Sequence, residues 1–244
     1  MNSRPFKLNA SIALIFMLAA LLHAQQGPPR ETGPFRQPDL VELVRMDSSL
    51  RLDIRYATKN NFLGRPVYKE ARAFLQRPAA EALARVNHAL RQKGYGLIIF
   101  DGYRPWSVTK AFWDATPEGK KQFVADPQKG SRHNRGCAVD LTMFDLSTGR
   151  EVRMPSEYDE MTERSHINYE CATPEAKAMR EMLRAAMEAE GFNVYEPEWW
   201  HYDYKDWKQY PILNVKFSDI GKIKIVDGAQ WLVVRNDSSP LINN

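Results

Sequence analysis

Apolar and polar positions along the chain switch between two periods, and the switches outline its elements. Leu50, Leu52, Ile54 and Tyr56 alternate with Arg51, Asp53 and Arg55, the period of a half-buried strand. Asn60-Asn61 and Gly64-Arg65-Pro66 then break the chain into loop. Pro78 opens a helix, at a turn where its missing N–H costs little. Leu83, Val86 and Leu90 recur on one face of that helix, and Gly94 ends it. Tyr95 to Phe100 is a short apolar run that suits a buried strand. It delivers Asp101-Gly102-Tyr103-Arg104-Pro105 where the chain must turn. A helix carrying Trp106, Phe112 and Trp113 is expected next, followed by a polar surface loop from Thr116 to Arg132.

From Cys137 to Phe144 the period is again two. Cys137, Val139 and Leu141 share one face, and Ala138, Asp140 and Thr142 the other. Ser147-Thr148-Gly149 is a turn, with Glu151 to Arg153 as a returning partner strand. Thr173-Pro174 caps a further helix with Met179, Leu183, Ala186 and Met187 as its inward stripe and Gly191 as its stop. Phe192 to Tyr204 is aromatic and strand-prone, and a last hairpin is expected from Ile223 to Val226 and Trp231 to Val234 around Asp227-Gly228. Helices and strands alternate irregularly with hairpin-length connections. That predicts an α+β fold: one compact domain, a mainly antiparallel sheet and flanking helices.

Composition adds a leader and removes some partners. Arg4 and Lys7 precede an uncharged apolar run from Ala10 to Leu22, and Ala24 offers a small residue for cleavage. Residues 1–24 are therefore expected to be a secretory signal peptide, because the run is short of the roughly 20 residues that span a bilayer. Residues 25–38, with four Pro and two Gly, predict a flexible lead-in. The domain is expected over 39–244, with the tail after about 220 unassigned. The formal charge of +4 falls to near +2 without Arg4 and Lys7, and no basic block is interleaved with aromatics, so no nucleic-acid partner is expected. Two Cys, at 137 and 171, exclude a disulfide scaffold but would allow one pair after export.

The chemistry lies in two distant stretches, Ser131-Arg132-His133-Asn134-Arg135-Gly136-Cys137-Ala138-Val139-Asp140 and Glu198-Trp199-Trp200-His201. His133, Asp140 and His201 offer two imidazoles and a carboxylate, leaving one coordination position for water. That is the donor set of a catalytic zinc site; a structural site would be closed by four protein ligands. Cys137 falls on the strand face opposite Asp140 and is not counted. Glu198 stands three residues before His201, so a bulge is needed to bring both to one point. It would then serve as the general base. Arg104 suits either an oxyanion partner or a structural ion pair. His23 and His88 are given no role, and Trp199 and Trp200 are expected to pack.

Ser131-x-His133-x-x-Gly136-x-Ala138-x-Asp140 with Glu198-x-x-His201 resembles the zinc D-alanyl-D-alanine dipeptidases, the family associated with vancomycin resistance and cell-wall dipeptide turnover. The resemblance extends through Asp53-Ile54-Arg55-Tyr56-Ala57-Thr58, Asp101-Gly102-Tyr103-Arg104-Pro105 and Glu163-x-Ser165-His166, over roughly residues 39 to 210. It implies one Zn2+ per chain on His133, Asp140 and His201, Glu198 as base and Arg104 on the transition state. It also implies Tyr56, Ser131 and Asp159 around a small D,D-dipeptide, and a D,D-peptidase or hedgehog-like fold. Asp159 would pair with the substrate ammonium and Ser131 with its carboxylate. The expected reaction is hydrolysis of D-Ala-D-Ala to two D-alanines by an exported, periplasmic or secreted bacterial enzyme that is not held in the membrane once its leader is cut. Alternatives are a murein D,D-carboxypeptidase or endopeptidase, and a non-catalytic wall- or metal-binding module, which would have no need of Glu198. His166 is expected to be structural. The segment Met154-Pro155-Ser156-Glu157-Tyr158-Asp159 departs from the family's more usual Gly-containing, Phe-Asp form, and Cys137 replaces a small residue such as Ser.

Overall fold

The computed structural model describes residues 27–221 and, beyond them, the backbone of two short strands. The expected signal peptide and the Asp227-Gly228 turn lie outside the described residues. In chain order the elements are β1 (Leu40–Glu42), α1 (Leu43–Met46), β2 (Arg51–Leu52), β3 (Phe74–Gln76), α2 (Arg77–Arg91), β4 (Tyr95–Asp101) and α3 (Trp106–Ala115). They continue with β5 (Ala138–Asp145), α4 (Pro174–Ala189), β6 (Phe192–Tyr195), β7 (Glu198–Tyr204), β8 (Ile223–Val226) and β9 (Gln230–Val233).

Five strands form the central sheet in the order β2-β4-β5-β7-β6. Only β2 and β4 pair in parallel; the other three pairs are antiparallel, as the irregular element order predicts. The two-residue period of β5 sorts its side chains. Val139, Leu141 and Met143 join the main core with Leu83, Val86 and Leu183 of α2 and α4. Phe144 instead packs with Ile98 and Phe100 on the other side. Both long helices carry a proline in the first turn, and Thr173 Oγ1 accepts the N–H of Ala176 to cap α4. β8 and β9 pair as the expected hairpin, one residue earlier in its second arm.

Two expectations need correction. The alternating stretch from Leu50 to Tyr56 yields only two paired residues. The chain then leaves the sheet edge in a 3₁₀ turn (Arg55–Ala57) that buries Tyr56. Alternation there reports burial of Ile54 and Tyr56, not continued pairing. Glu151 makes a single bridge to Phe144, not a strand. Residues 27–38 contain no helix or strand and are tied to the domain by side-chain and backbone contacts. The Glu31 carboxylate accepts from the Arg135 guanidinium and from the Ile212 N–H, and the Arg36 N–H donates to Gln209 O. Cys137 is buried and Cys171 exposed, and the two thiols are unpaired.

Candidate metal centre

Each functional side chain is placed by a short structural device. His133 begins a 3₁₀ turn (His133–Arg135) that Gly136 closes at φ 67°, a left-handed conformation that disfavours any side chain. A Cβ at Gly136 would also meet Leu40 at 2.5 Å. The turn feeds directly into β5, which carries Asp140. In the ladder Asp140 stands opposite His201 of β7, so register joins residues far apart in sequence. The anticipated irregularity is in β7: Val194 pairs with Tyr202, yet Tyr195 pairs with Glu198. The extra residues between those pairs overrule strand parity and let Glu198 and His201 line the same cavity.

The metal-facing atoms are His133 Nε2, His201 Nδ1 and Asp140 Oδ1. They lie 3.1, 3.3 and 3.0 Å from one another in the pairs His133–His201, His133–Asp140 and His201–Asp140. Tetrahedral nitrogen and oxygen ligands of zinc, at bonds of about 2.0–2.1 Å, stand roughly 3.3 Å apart. His133 Nδ1 is 2.7 Å from Gly102 O, which can only accept, so Nε2 keeps its lone pair. His201 Nε2 is 3.0 Å from the Asp203 carboxylate, which leaves Nδ1 as a lone pair as well. Lone-pair atoms of three side chains converging in a buried place call for a cation, and the donor set fits zinc.

The neighbouring groups are held as firmly. Glu198 Oε2 lies 3.7 Å from His201 Nδ1, with its side chain one-quarter exposed. Arg104 is buried; its Nε and Nη2 donate to Asp101 Oδ2 at 2.9 and 2.8 Å, and Nη2 is 3.6 Å from Asp140 Oδ2. Its guanidinium also lies over the rings of Tyr56 and Phe112. Tyr56 Oη is 3.1 and 2.9 Å from the two oxygens of Asp159, a residue held at φ 60°. Ser131 Oγ accepts the N–H of His133. Tyr56, Arg104, Ser131, His133, Asp140, Asp159, Glu198 and His201 all line one cavity of about 350 Å³.

Charge crowding shows in the ionisation of these groups. Burial opposes a charge on Asp140, but His133 and His201 outweigh it and hold the carboxyl well below its usual range. Burial, reinforced by Asp140, pushes Asp159 up to about 8. Burial likewise pushes Glu198 up to about 7, with His201 opposing. Burial disfavours charge on His201, yet Asp203 and Asp140 raise it well above the ordinary histidine value. A bound dication would displace that proton and favour both carboxylates.

Several partners were missed in the sequence: Asp101 behind Arg104, Asp203 behind His201, and Tyr158, whose hydroxyl donates to Asp140 Oδ2 at 3.0 Å. For Asp203 a signal existed, since i and i+2 on one strand share a face. His166 follows a 3₁₀ turn (Glu163–Ser165) and does not line the cavity, and His88 is exposed. Both tryptophans pack in the core as expected; Trp199 Nε1 donates to Ser156, and Trp200 lines the cavity as well.

Fold and site together define a metallopeptidase centre: a histidine–aspartate–histidine triad beside a free carboxylate, in a cavity sized for a small ligand. The family model described as D-Ala-D-Ala dipeptidase, of peptidase family M15, matches residues 36–223, and the chain belongs to that family. It is 36% identical over 180 residues to the D-alanyl-D-alanine dipeptidase of Escherichia coli K12, covering 74% of this chain and 92% of that protein. It is 37% identical over 183 residues to the enzyme of the same name from Enterococcus faecium, covering 66% and 89%. Among solved structures it is similar to a vancomycin-resistance D,D-pentapeptidase, VanY, in complex with Zn(II). That likeness has 16% identity and a TM-score of 0.37, over 56% of this chain and 75% of that one. A likeness so loose carries no functional weight.

Proposed function

We propose that this chain hydrolyses D-alanyl-D-alanine to two D-alanines with one zinc ion held by His133, Asp140 and His201. The observation that carries the reading is the convergence of those three lone-pair atoms 3.0–3.3 Å apart, with Glu198 beside them in the same cavity. Zinc, when bound there, supplies the Lewis acidity that makes water nucleophilic near neutral pH and polarises the scissile carbonyl. Glu198 takes the proton of the attacking water and passes it to the leaving amine. Its raised pKa suits a group that must both accept and return a proton. Arg104, fixed by Asp101, presents its remaining N–H groups to the oxyanion that forms. Asp159, fixed by Tyr56, receives the substrate ammonium, and Ser131 its carboxylate.

The alternative, a peptidase for longer murein stems, needs the amino end of the cavity open; an Asp159 carboxylate that lines the cavity and is held by Tyr56 favours the free dipeptide. The reading also places the protein outside the cytoplasm. Support comes from the leader, with Arg4 and Lys7 before Ala10–Leu22, and N-terminal sequencing of the exported product tests it. Among the described residues no helix is long and apolar enough to cross a membrane. The decisive experiment is a peptide panel on the mature protein with and without a chelator. D-alanine should be released from D-Ala-D-Ala, lost on chelation and restored by zinc. No release, or faster cleavage of longer stems, would overturn the reading.

A further inference from the structure

The two imidazoles turn different nitrogens to the metal position, His133 its Nε2 and His201 its Nδ1. The backbone settles the choice for His133, through Gly102 O at Nδ1. Nothing of the kind holds His201. Its remote nitrogen, Nε2, meets Asp203 Oδ1 at 3.0 Å, two residues along β7 and 7% exposed. The other oxygen of Asp203, Oδ2, lies 3.3 Å from Arg132 Nε. The Arg132 guanidinium is itself set over Trp207 at 4.9 Å and Tyr195 at 5.9 Å. Arg132 directly precedes His133, so one peptide step supplies a metal ligand and the clamp on the other histidine's partner.

We propose that Asp203 is a positioning residue that selects the Nε2–H tautomer of His201, and that Arg132 locks Asp203 in the orientation that does so. The inference rests on the metal-centre reading above. A carboxylate can only accept, so both of its oxygens serve: one takes the ring N–H and the other the guanidinium. An amide in its place cannot serve both ways. With Arg132 present, the amide introduced by Asp203→Asn must turn its oxygen to the guanidinium and its NH2 to Nε2. Nε2 then becomes the acceptor, and the ring proton moves to Nδ1, where the metal should bind. The amide and the carboxylate have the same shape, so the loss is one of tautomer and not of packing, as in a serine-protease triad whose aspartate becomes asparagine. Removing Arg132 as well frees the amide to flip and accept from Nε2–H again.

The test is zinc affinity of the full-length mature protein, measured by competition with a chromophoric chelator. Asp203→Asn should weaken zinc about 10- to 100-fold. The double variant Asp203→Asn/Arg132→Ala should bind more tightly than Asp203→Asn alone, an order that a merely structural role would not produce. Nitrogen-15 correlation spectra of the zinc-loaded wild-type protein give a readout that needs no variant to fold. They should show His201 protonated at Nε2 and His133 at Nδ1. Unchanged affinity in Asp203→Asn, a double variant no better than the single, or a ring proton on His201 Nδ1 would each overturn the inference. A wild-type protein that binds no zinc would remove the metal-centre reading along with it.

Discussion

Asp159→Asn separates a dipeptidase pocket from one that accepts longer chains. The substitution leaves the local structure in place. Asp159 sits at φ 60°, a left-handed conformation that Asn tolerates and Ala does not, so the loop should hold its path. The Tyr56 hydroxyl, 2.9 and 3.1 Å from the two carboxylate oxygens, can still donate to the amide oxygen. What goes is the charge. Asp159 is pushed up to about 8 by burial and by Asp140 when no cation is present, so its ionisation depends on positive charge arriving. A dication near Asp140 and the ammonium of the substrate both supply it. Losing a charge-assisted hydrogen bond at this half-buried position while keeping a neutral acceptor costs about 2–3 kcal/mol, or roughly 30- to 150-fold in kcat/KM. The assay compares D-Ala-D-Ala with its N-acetyl derivative on the wild-type and variant enzymes. The free dipeptide should suffer that loss, while the acetylated one, lacking an ammonium, should be cut by the variant at least as well as by the wild type. An equal fall on both substrates would show that Asp159 serves the fold and not the amino end, and the dipeptide reading would lose its main support.

How much of this was legible in the amino-acid order depends on how far each contact reaches along the chain. The Cys137–Phe144 period correctly put Asp140 on the face away from Cys137, because side-chain alternation is local and strict. The residues singled out as ligands, base and pocket all line one cavity. Strands β1 and β3 escaped notice because three residues are too few to show a period. Tyr158, Asp101 and Asp203 were invisible as partners for a different reason. Their roles come from cross-strand register and from loops folding back, as where Tyr158 returns to Asp140 across a separation of 18 positions. Glu31 is the sharpest case. Within a Pro-rich stretch it looks solvated, and only the fold shows the Arg135 guanidinium, at the end of the His133–Arg135 turn, reaching for it.

The remaining predictions bear on the proton, the oxyanion and the metal. Glu198→Gln should retain zinc, since Glu198 is not one of the three converging ligands, yet lower kcat by about 10²- to 10⁴-fold; a variant that turns over like the wild type would remove the base. Arg104→Lys should lower kcat far more than it alters KM, because the single nitrogen of a lysine cannot keep the Asp101 contact and also reach the oxyanion as a planar guanidinium does; unchanged kcat would make Arg104 a structural ion pair. Chelated protein should lose stability as pH rises from about 5 to 9. Asp159 and Glu198 fold with their pKa values raised to about 8 and about 7, so the stability they contribute is present below their unfolded values and lost as pH climbs through the folded ones. His201, also raised, contributes with the same sign, while Asp140, lowered, acts only in acid. Each group adds a slope of up to ~1.4 kcal/mol per pH unit over its own window. Zinc reverses the preference by favouring the ionised carboxylates, so the gap in Tm between zinc-loaded and chelated protein should widen steadily with pH. Calorimetric profiles that run parallel in the two states would mean that these acids do not face the metal at all.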